Sequence, residues 1–163
     1  MTVIPLYYEP LLLKQWRLGR LQGVWYRSFK GTFCERDLSN ASNQCRRGYH
    51  FGEWFTVRHY LSKGFNVLPP KYLHQTRPQA RAKALKILGE AGVAFLDRRI
   101  KVSSKMRKAP RPDLLVYRGR TFFFVEVKRD TDRLSGAQSL FFPKIEKKFG
   151  CAVFVVNLKP RLP

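Results

Sequence analysis

Three residues in the second half of the chain have types and a spacing that could do chemistry: Asp113, Glu126 and Lys128. Asp113 stands directly before an apolar run, Leu114–Tyr117, while Glu126 and Lys128 interrupt the end of a second apolar run that begins at Thr121. The first run is apolar and the second is rich in β-branched and aromatic residues, which is typical of strands. We therefore expect a hairpin with two carboxylates and an ammonium group at one end.

The geometry of this predicted hairpin depends on the length of its loop. Side chains on a strand alternate between the two faces, so a shift of one residue reverses the facing of all of them. A two-residue loop that begins at Gly119 pairs Arg118 with Thr121 and sets Asp113 directly opposite Glu126, with Cβ atoms roughly 4.5–5.5 Å apart. A three-residue loop would place the two carboxylates on opposite faces.

Two carboxylates at that distance repel each other unless a cation lies between them. A divalent metal would supply the charge, and ligands that are all oxygen atoms favour Mg²⁺ or Mn²⁺ over Zn²⁺. The simpler interpretation is an ion pair at the surface end of a strand. We favour the metal, because Glu126 lies inside an otherwise apolar strand.

The same residues resemble a known signature. Pro112-Asp113 followed by Glu126-Val127-Lys128 resembles the motif of the PD-(D/E)xK nuclease superfamily, and Asp132-Arg-Leu-Ser-Gly-Ala-Gln138 is similar to the D-R-L-S-x-x-Q run of its VRR-NUC domains. The resemblance covers residues 105–158, approximately. It implies a restriction-endonuclease-like α/β fold with a mixed four-stranded sheet flanked by helices, and a nuclease that requires Mg²⁺ or Mn²⁺.

The resemblance also implies roles for individual residues. Asp113 and Glu126, with the carbonyl of Val127, would bind the metal, and Lys128 would orient the attacking water. Glu53, in the first turn of a predicted helix, would be a further catalytic residue and metal ligand; alternatively it complements the helix dipole. Gln138 would be a further catalytic residue that lies beside the metal and orients a phosphate or a water; alternatively it forms a capping box with Ser135.

The charge of the chain indicates a polyanionic partner. Lys and Arg number 32 against 11 acidic residues, which gives a net charge of +21. Nucleic acid is the first expectation and an anionic membrane surface the second, and no apolar run is long enough to cross a membrane. We expect two sets of basic residues to bind the DNA backbone. One is a run that leads to Asp113, namely Arg98, Arg99, Lys101, Lys105, Arg107, Lys108 and Arg111, and the other follows the second strand, namely Arg129 and Arg133. A solvated surface is the alternative for the run.

The remaining sequence predicts a domain at residues 46–163, with a basic helical insertion at about 71–104, preceded by an N-terminal extension at residues 1–45. The extension consists of an aromatic and basic arm, for which packing is favoured over a dimer contact or base stacking, and a polar linker at 38–44. Elements are predicted as helices at 52–63, 78–91 and 135–150 and strands at 65–68 and 151–157. Residues 92–97 either continue the second helix or form a turn and a short strand.

The three cysteines, Cys34, Cys45 and Cys151, are odd in number and irregularly spaced, which argues against a disulfide framework. Cys34 and Cys45 with His50 fit no standard zinc spacing. We therefore expect reduced thiols in a cytoplasmic, nucleoid-associated protein that is not secreted, encoded by a bacterium or a phage as the stand-alone relatives are.

These observations predict a structure-specific DNA endonuclease that acts on duplex or branched DNA. The resemblance extends to junction resolvases, and a homodimer would supply the symmetry that a Holliday-junction resolvase needs. The alternative is a non-catalytic basic module that binds nucleic acid. A membrane-surface or RNA-associated basic protein would explain the charge but not Asp113, Glu126 and Lys128.

Overall fold

The computed structural model describes residues 1–29, 31–102 and 104–162. Its strands are β1 (Thr2–Tyr8), β2 (Asn66–Leu68), β3 (Arg99–Val102), β4 (Lys105–Lys108), β5 (Leu114–Arg118), β6 (Thr121–Arg129) and β7 (Val153–Pro160). Its α-helices are α1 (Pro10–Arg17), α2 (Gln22–Ser28), α3 (Glu35–Gln44), α4 (Phe51–Ser62), α5 (Pro78–Asp97) and α6 (Gly136–Phe149). The protein is therefore an α/β protein, as the sequence predicts.

One mixed sheet of five strands, in the order β1-β7-β6-β5-β2, forms the centre of the fold. β1 and β6 run parallel to β7, whereas β5 runs antiparallel to both β6 and β2. The sequence predicts β2, β5, β6 and β7, and these four strands are confirmed. It does not predict β1, which lies at an edge of the sheet, where Pro5 is tolerated although it has no N–H to donate.

The N-terminal aromatic residues pack against one face of this sheet. Trp16, Trp25, Phe29 and Phe33 are buried in one cluster with residues of α4 and of the sheet. The rings of Phe33 and Trp54 stack with their centroids 4.1 Å apart. Packing, the role that the sequence favours for this segment, is confirmed; the domain boundary at residue 45 stays a prediction.

The prediction of a polar surface linker at residues 38–44 was wrong, because these residues belong to helix α3. Asp37 and Cys34 form a capping box at the start of that helix, and Ala41 is buried in the aromatic cluster. Arg77 donates to Asp37 Oδ2 over 2.7 Å, which fixes α3 to the segment before α5. The capping box is a local polar contact and the ion pair with Arg77 is a tertiary one, and a count of apolar residues detects neither.

The other face of the sheet is covered by α5 and α6. Buried residues of these helices, such as Leu96 and Phe142, pack with Leu115 and Phe124 of the sheet. Of the two alternatives for residues 92–97, the continuing helix is confirmed, although the chain bends at Gly89, where φ is 70°. Helix α6 continues across Pro143, so Gln138 and the end of the helix belong to one element.

The basic run before β5 forms a hairpin, which the sequence does not predict. β3 and β4 pair with each other as a separate sheet of two strands, and the Ala109 N–H donates to the Arg98 carbonyl over 2.9 Å at its base. The predicted insertion at 71–104 is therefore α5 followed by the first strand of a hairpin. The alternation Arg99-Ile100-Lys101-Val102 is the period-two signal that could have revealed it.

Within the described part of the chain, no helix combines the length and the apolar character that crossing a membrane requires.

Candidate active site

The hairpin of β5 and β6 has the register on which the paired carboxylates depend. Arg118 pairs with Thr121, and the pairing continues to Leu114 opposite Val125. The loop therefore holds two residues, and Gly119, with φ of 60°, takes the left-handed conformation that such a turn needs. The predicted two-residue loop is confirmed, and continuing the register by one pair sets Asp113 opposite Glu126.

The Asp113 carboxylate closes the open end of this hairpin. Its Oδ2 accepts a hydrogen bond of 2.8 Å from the backbone N–H of Val127. The N–H and the C=O of a strand residue point to the same side, so the Val127 carbonyl also faces the space beyond Leu114, where β5 begins. A backbone carbonyl and a carboxylate thus converge there.

Glu126 is buried, with 2% of its surface exposed. Its Oε1 accepts hydrogen bonds from Lys128 Nζ at 2.7 Å and from Gln138 Nε2 at 2.5 Å. Its Oε2 is also buried and has no hydrogen-bond partner among the residues that the structure describes. Since buried polar atoms are nearly always satisfied, Oε2 is a candidate position for a ligand.

Gln138 forms the predicted capping box and also contacts Glu126. Its Oε1 accepts from the Ser135 N–H at 2.9 Å, and its own N–H donates to the Ser135 hydroxyl at 3.2 Å, so the capping box is formed. Its Nε2 donates to Glu126. If the Gln138 amide were rotated by 180°, its oxygen would face the Glu126 carboxylate and its NH₂ would face the Ser135 N–H, so neither hydrogen bond could form. The capping box therefore also orients the amide NH₂ towards Glu126.

The surroundings of the two carboxylates disfavour their charged forms. Burial raises the pKa of Asp113 well above its usual range, and the charges of Glu126 and Glu53 raise it further, against the opposing effects of the Val127 N–H and Lys128. Burial likewise raises the pKa of Glu126, although Lys128 and Gln138 favour its charged form. A bound cation would lower both pKa values by stabilising the ionised forms.

Glu53 lies in the first turn of α4, half-buried, on the wall of a small cavity that Lys71 and Arg77 also line. Helix α4 approaches the sheet closely at Gly52, where a Cβ atom would lie 3.1 Å from Val127 Cγ1. Glu53 is therefore near enough for its charge to act on Asp113. Among residues 1–29, 31–102 and 104–162, however, no three His, Cys, Asp or Glu side chains are grouped so as to hold a metal ion.

The predicted nucleic-acid-binding residues fall into two groups. One group is exposed and lies on the β3–β4 hairpin or before α6: Arg99, Lys101, Lys105, Arg107, Lys108 and Arg133. The other group is engaged inside the protein. The guanidinium carbon of Arg98 lies 4.0 Å from the centroid of the Phe95 ring. Arg111 donates to Asp97 over 3.1 Å, and Arg129 donates to the Gly48 carbonyl over 2.6 Å.

Asp97 is a residue of this region that sequence reasoning missed. Its carboxylate accepts from Arg111 and, at 3.3 Å, from Arg81, which also donates to the Leu73 carbonyl at 2.6 Å. It thereby fixes the chain two residues before Asp113 to α5. The signal was its position as a single acid immediately before a long basic run.

A mixed sheet flanked by helices, with paired carboxylates and a lysine at the end of a hairpin, is the arrangement of a restriction-endonuclease-like, nuclease-type domain. The family model of the VRR-NUC domain matches residues 52–160, and the chain belongs to this family. The match contains every predicted site residue, from Glu53 to Gln138. No match was found among curated proteins or among solved structures. A nuclease domain implies DNA as the substrate.

Proposed function

We propose that the protein is a metal-dependent DNA endonuclease that hydrolyses phosphodiester bonds at the site formed by Asp113, Glu126 and Lys128. The observation that carries the proposal is the buried Oε2 of Glu126, which has no hydrogen-bond partner within the described residues and belongs to a residue opposite the half-buried Asp113 in the hairpin. Since most buried polar atoms in proteins are satisfied, that oxygen supports the binding of a ligand at this site.

The residues present fit Mg²⁺ or Mn²⁺. Their donors are all oxygen atoms: the carboxylates of Asp113 and Glu126 and the carbonyl of Val127, which faces the same open end of the hairpin. Glu53 would complete the set from α4, directly or through a water. When bound, the metal polarises a phosphate oxygen and lowers the pKa of a water.

Lys128 and Gln138 prepare the site for the substrate. The Lys128 ammonium is held at Glu126, where it can orient a water towards the phosphorus and stabilise the negative charge that develops on the phosphate oxygens. Gln138 fixes the Glu126 carboxylate from the other direction. Together these two donors hold Oε1, so that Oε2 remains for the metal.

The exposed cations of the β3–β4 hairpin would bind the DNA backbone. This hairpin leads through Ala109 and Arg111 into Asp113. Few residues therefore separate the hairpin from the carboxylates, and a phosphate bound by the hairpin would be held near them. Contacts of this kind position a duplex without reading its sequence, and they weaken steeply with salt. Arg98, Arg111 and Arg129 would support the hairpin and the site rather than contact DNA themselves, because each is engaged within the protein.

Branched DNA is the substrate that we propose within this class, including four-way junctions if the protein forms a homodimer. A two-fold dimer would cut two strands symmetrically, which junction resolution requires. Sedimentation of the protein alone and on a four-way junction measures this directly, and a monomer in both states would exclude the resolvase.

We propose a cytoplasmic location beside the nucleoid. The thiols of Cys34, Cys45 and Cys151 are free, which is consistent with a reducing compartment.

The test of the proposed activity is a panel of labelled DNA substrates, namely single strand, duplex, flap, splayed arm and four-way junction, incubated with Mg²⁺ and with Mn²⁺. We expect metal-dependent cleavage that EDTA abolishes. Tight DNA binding in EDTA, with no cleavage of any substrate under either metal, would instead establish the non-catalytic binding module.

A further inference from the structure

A tyrosine outside the recognised motif lies on the same face of the sheet as the carboxylates. Tyr72 follows β2 and is 1% exposed, and it belongs to the buried cluster that contains Leu115 and Phe124. These two strand residues lie two positions from Asp113 and Glu126 respectively, so their side chains share a face with the carboxylates. The Tyr72 ring therefore packs on the face of the sheet that carries the two carboxylates.

The hydroxyl of Tyr72 is buried and has no hydrogen-bond partner in the part of the chain that the structure describes. Burial raises the pKa of Tyr72, the charge of Arg111 lowers it, and the charges of Asp113 and Glu126 raise it, so the hydroxyl lies within the field of the site. A buried donor and a buried acceptor, Glu126 Oε2, are thus both left without partners in one region. A ligand between them would satisfy both.

The backbone around Tyr72 is fixed in place. Arg81 donates to the carbonyl of the next residue, Leu73, and to Asp97, and Asp97 accepts in turn from Arg111. The segment that carries Tyr72 is therefore fastened to the chain that leads into Asp113. The fold therefore sets the position of Tyr72 relative to the chain that carries Asp113.

We propose that the Tyr72 hydroxyl donates a hydrogen bond to an oxygen held between Asp113 and Glu126, either a water on the bound metal or a phosphate oxygen of the DNA. This inference rests on the proposed function, since it takes the occupant of the carboxylate site from it. Tyr72 is then a positioning residue for that occupant, in a segment that precedes the Asp113 motif by about forty residues.

The test compares Tyr72→Phe, which removes one hydroxyl, with Tyr60→Phe. Tyr60 is also a buried tyrosine, but it belongs to the cluster on the opposite face of the sheet. The readouts are thermal unfolding in EDTA, Mn²⁺ affinity measured by electron paramagnetic resonance with the metal alone, and affinity for a labelled duplex in Ca²⁺. In EDTA, Tyr72→Phe should unfold at the same or a higher temperature than wild type, because it loses a hydroxyl that has no partner.

A water on the metal predicts that Tyr72→Phe binds Mn²⁺ roughly tenfold more weakly, as is typical when a group that orients metal ligands is removed. A phosphate oxygen predicts unchanged Mn²⁺ affinity and roughly tenfold weaker DNA binding in Ca²⁺. Tyr60→Phe should alter neither affinity. Unchanged affinities for both ligands in Tyr72→Phe, or a variant that fails to fold without metal, would overturn the proposal.

The outcomes separate this inference from the proposed activity. If the wild type binds Mn²⁺ but cuts no DNA, the nuclease proposal fails while the Mn²⁺ comparison between the two variants remains valid. If the wild type cuts DNA and Tyr72→Phe matches it in metal and DNA affinity, the inference fails and the nuclease proposal stands.

Discussion

Replacing Asp113 with asparagine should stabilise the metal-free protein while it abolishes metal binding. The Asp113 carboxylate is half-buried and lies within the field of two other carboxylates, and its Oδ2 accepts a hydrogen bond from the Val127 N–H. The Oδ1 atom of an asparagine can accept the same bond, so Asp113→Asn removes the charge and keeps the geometry. In wild type, the proposed metal would offset what this charge costs.

The size of the effect follows from the desolvation of a buried polar group. Leaving such a group without adequate partners costs about 1–3 kcal/mol, and more when it is charged. In a domain of this size, each kcal/mol moves the midpoint of thermal unfolding by about 2–4 °C. We therefore expect Asp113→Asn to unfold several degrees above wild type in EDTA at pH 7.5.

The pH dependence has a defined sign. The pKa of Asp113 is raised by folding, so the native state binds the proton more tightly than the unfolded chain does. Its contribution to stability is complete below the unfolded pKa of about 3.9 and is lost as the pH rises through the folded value. The advantage of Asp113→Asn should therefore be largest at neutral pH and shrink as the pH falls towards 4.

The assay is differential scanning fluorimetry in EDTA and in Mg²⁺, with Asp132→Asn as the control. Asp132 is exposed, and its substitution should change stability by no more than about 0.5 kcal/mol. Mg²⁺ at ten times its dissociation constant should stabilise wild type by about 1.4 kcal/mol and Asp113→Asn much less. A lower midpoint for Asp113→Asn than for wild type in EDTA, together with equal stabilisation of both by Mg²⁺, would refute this reasoning.

Other substitutions test the supporting contacts. Gln138→Ala should lower the free energy of unfolding by about 1 kcal/mol, because the cap is lost, and should also reduce cleavage. Ser135→Ala should lower the stability alone. An equal loss of cleavage in the two variants would show that Gln138 acts only as a cap. Lys101→Ala should lower the salt dependence of DNA binding by about one unit of slope, measured by fluorescence anisotropy, whereas Arg129→Ala should leave the slope unchanged and lower the unfolding temperature. Gly52→Ala should cost about 1–3 kcal/mol in denaturant unfolding, because its Cβ would crowd two side chains of the sheet; an unchanged midpoint would contradict the close approach of α4.

The strands of the central hairpin could be predicted from the sequence because each is encoded locally as an apolar run. Gly119 marks the turn, but the sequence left a loop of two or of three residues open. Asp113 and Glu126 could be placed opposite each other for the two-residue loop, which is the one that the structure has. The capping role of Gln138 was predictable for the same reason, since a capping box is a contact between neighbours in sequence.

The errors lie where long-range contacts decide the structure. Strand β1 exists because it pairs with β7 at the other end of the chain. Helix α3 is polar, but the Asp37–Arg77 pair and the buried Ala41 hold it against the protein. Such partners cannot be identified from a local pattern.

The assignment of roles to basic residues has the same limit. Arg111, Arg129 and the hairpin residue Lys101 look alike in sequence, since each is a cation near the motif. In the structure, Arg111 is bound to Asp97 and Arg129 to Gly48, whereas Lys101 is exposed. Charge alone therefore predicts a DNA-binding protein, but not which cations bind DNA.

The decisive measurement is single-turnover cleavage of a branched DNA by wild type and by Lys128→Ala, at a Mg²⁺ concentration that saturates both. We predict cleavage by wild type that EDTA abolishes, and a rate lower by about 10²-fold or more in Lys128→Ala, because its ammonium stabilises charge that develops in the transition state. Cleavage that persists in EDTA, or an undiminished rate in Lys128→Ala, would contradict the assignment of this site as the active site of a metal-dependent nuclease.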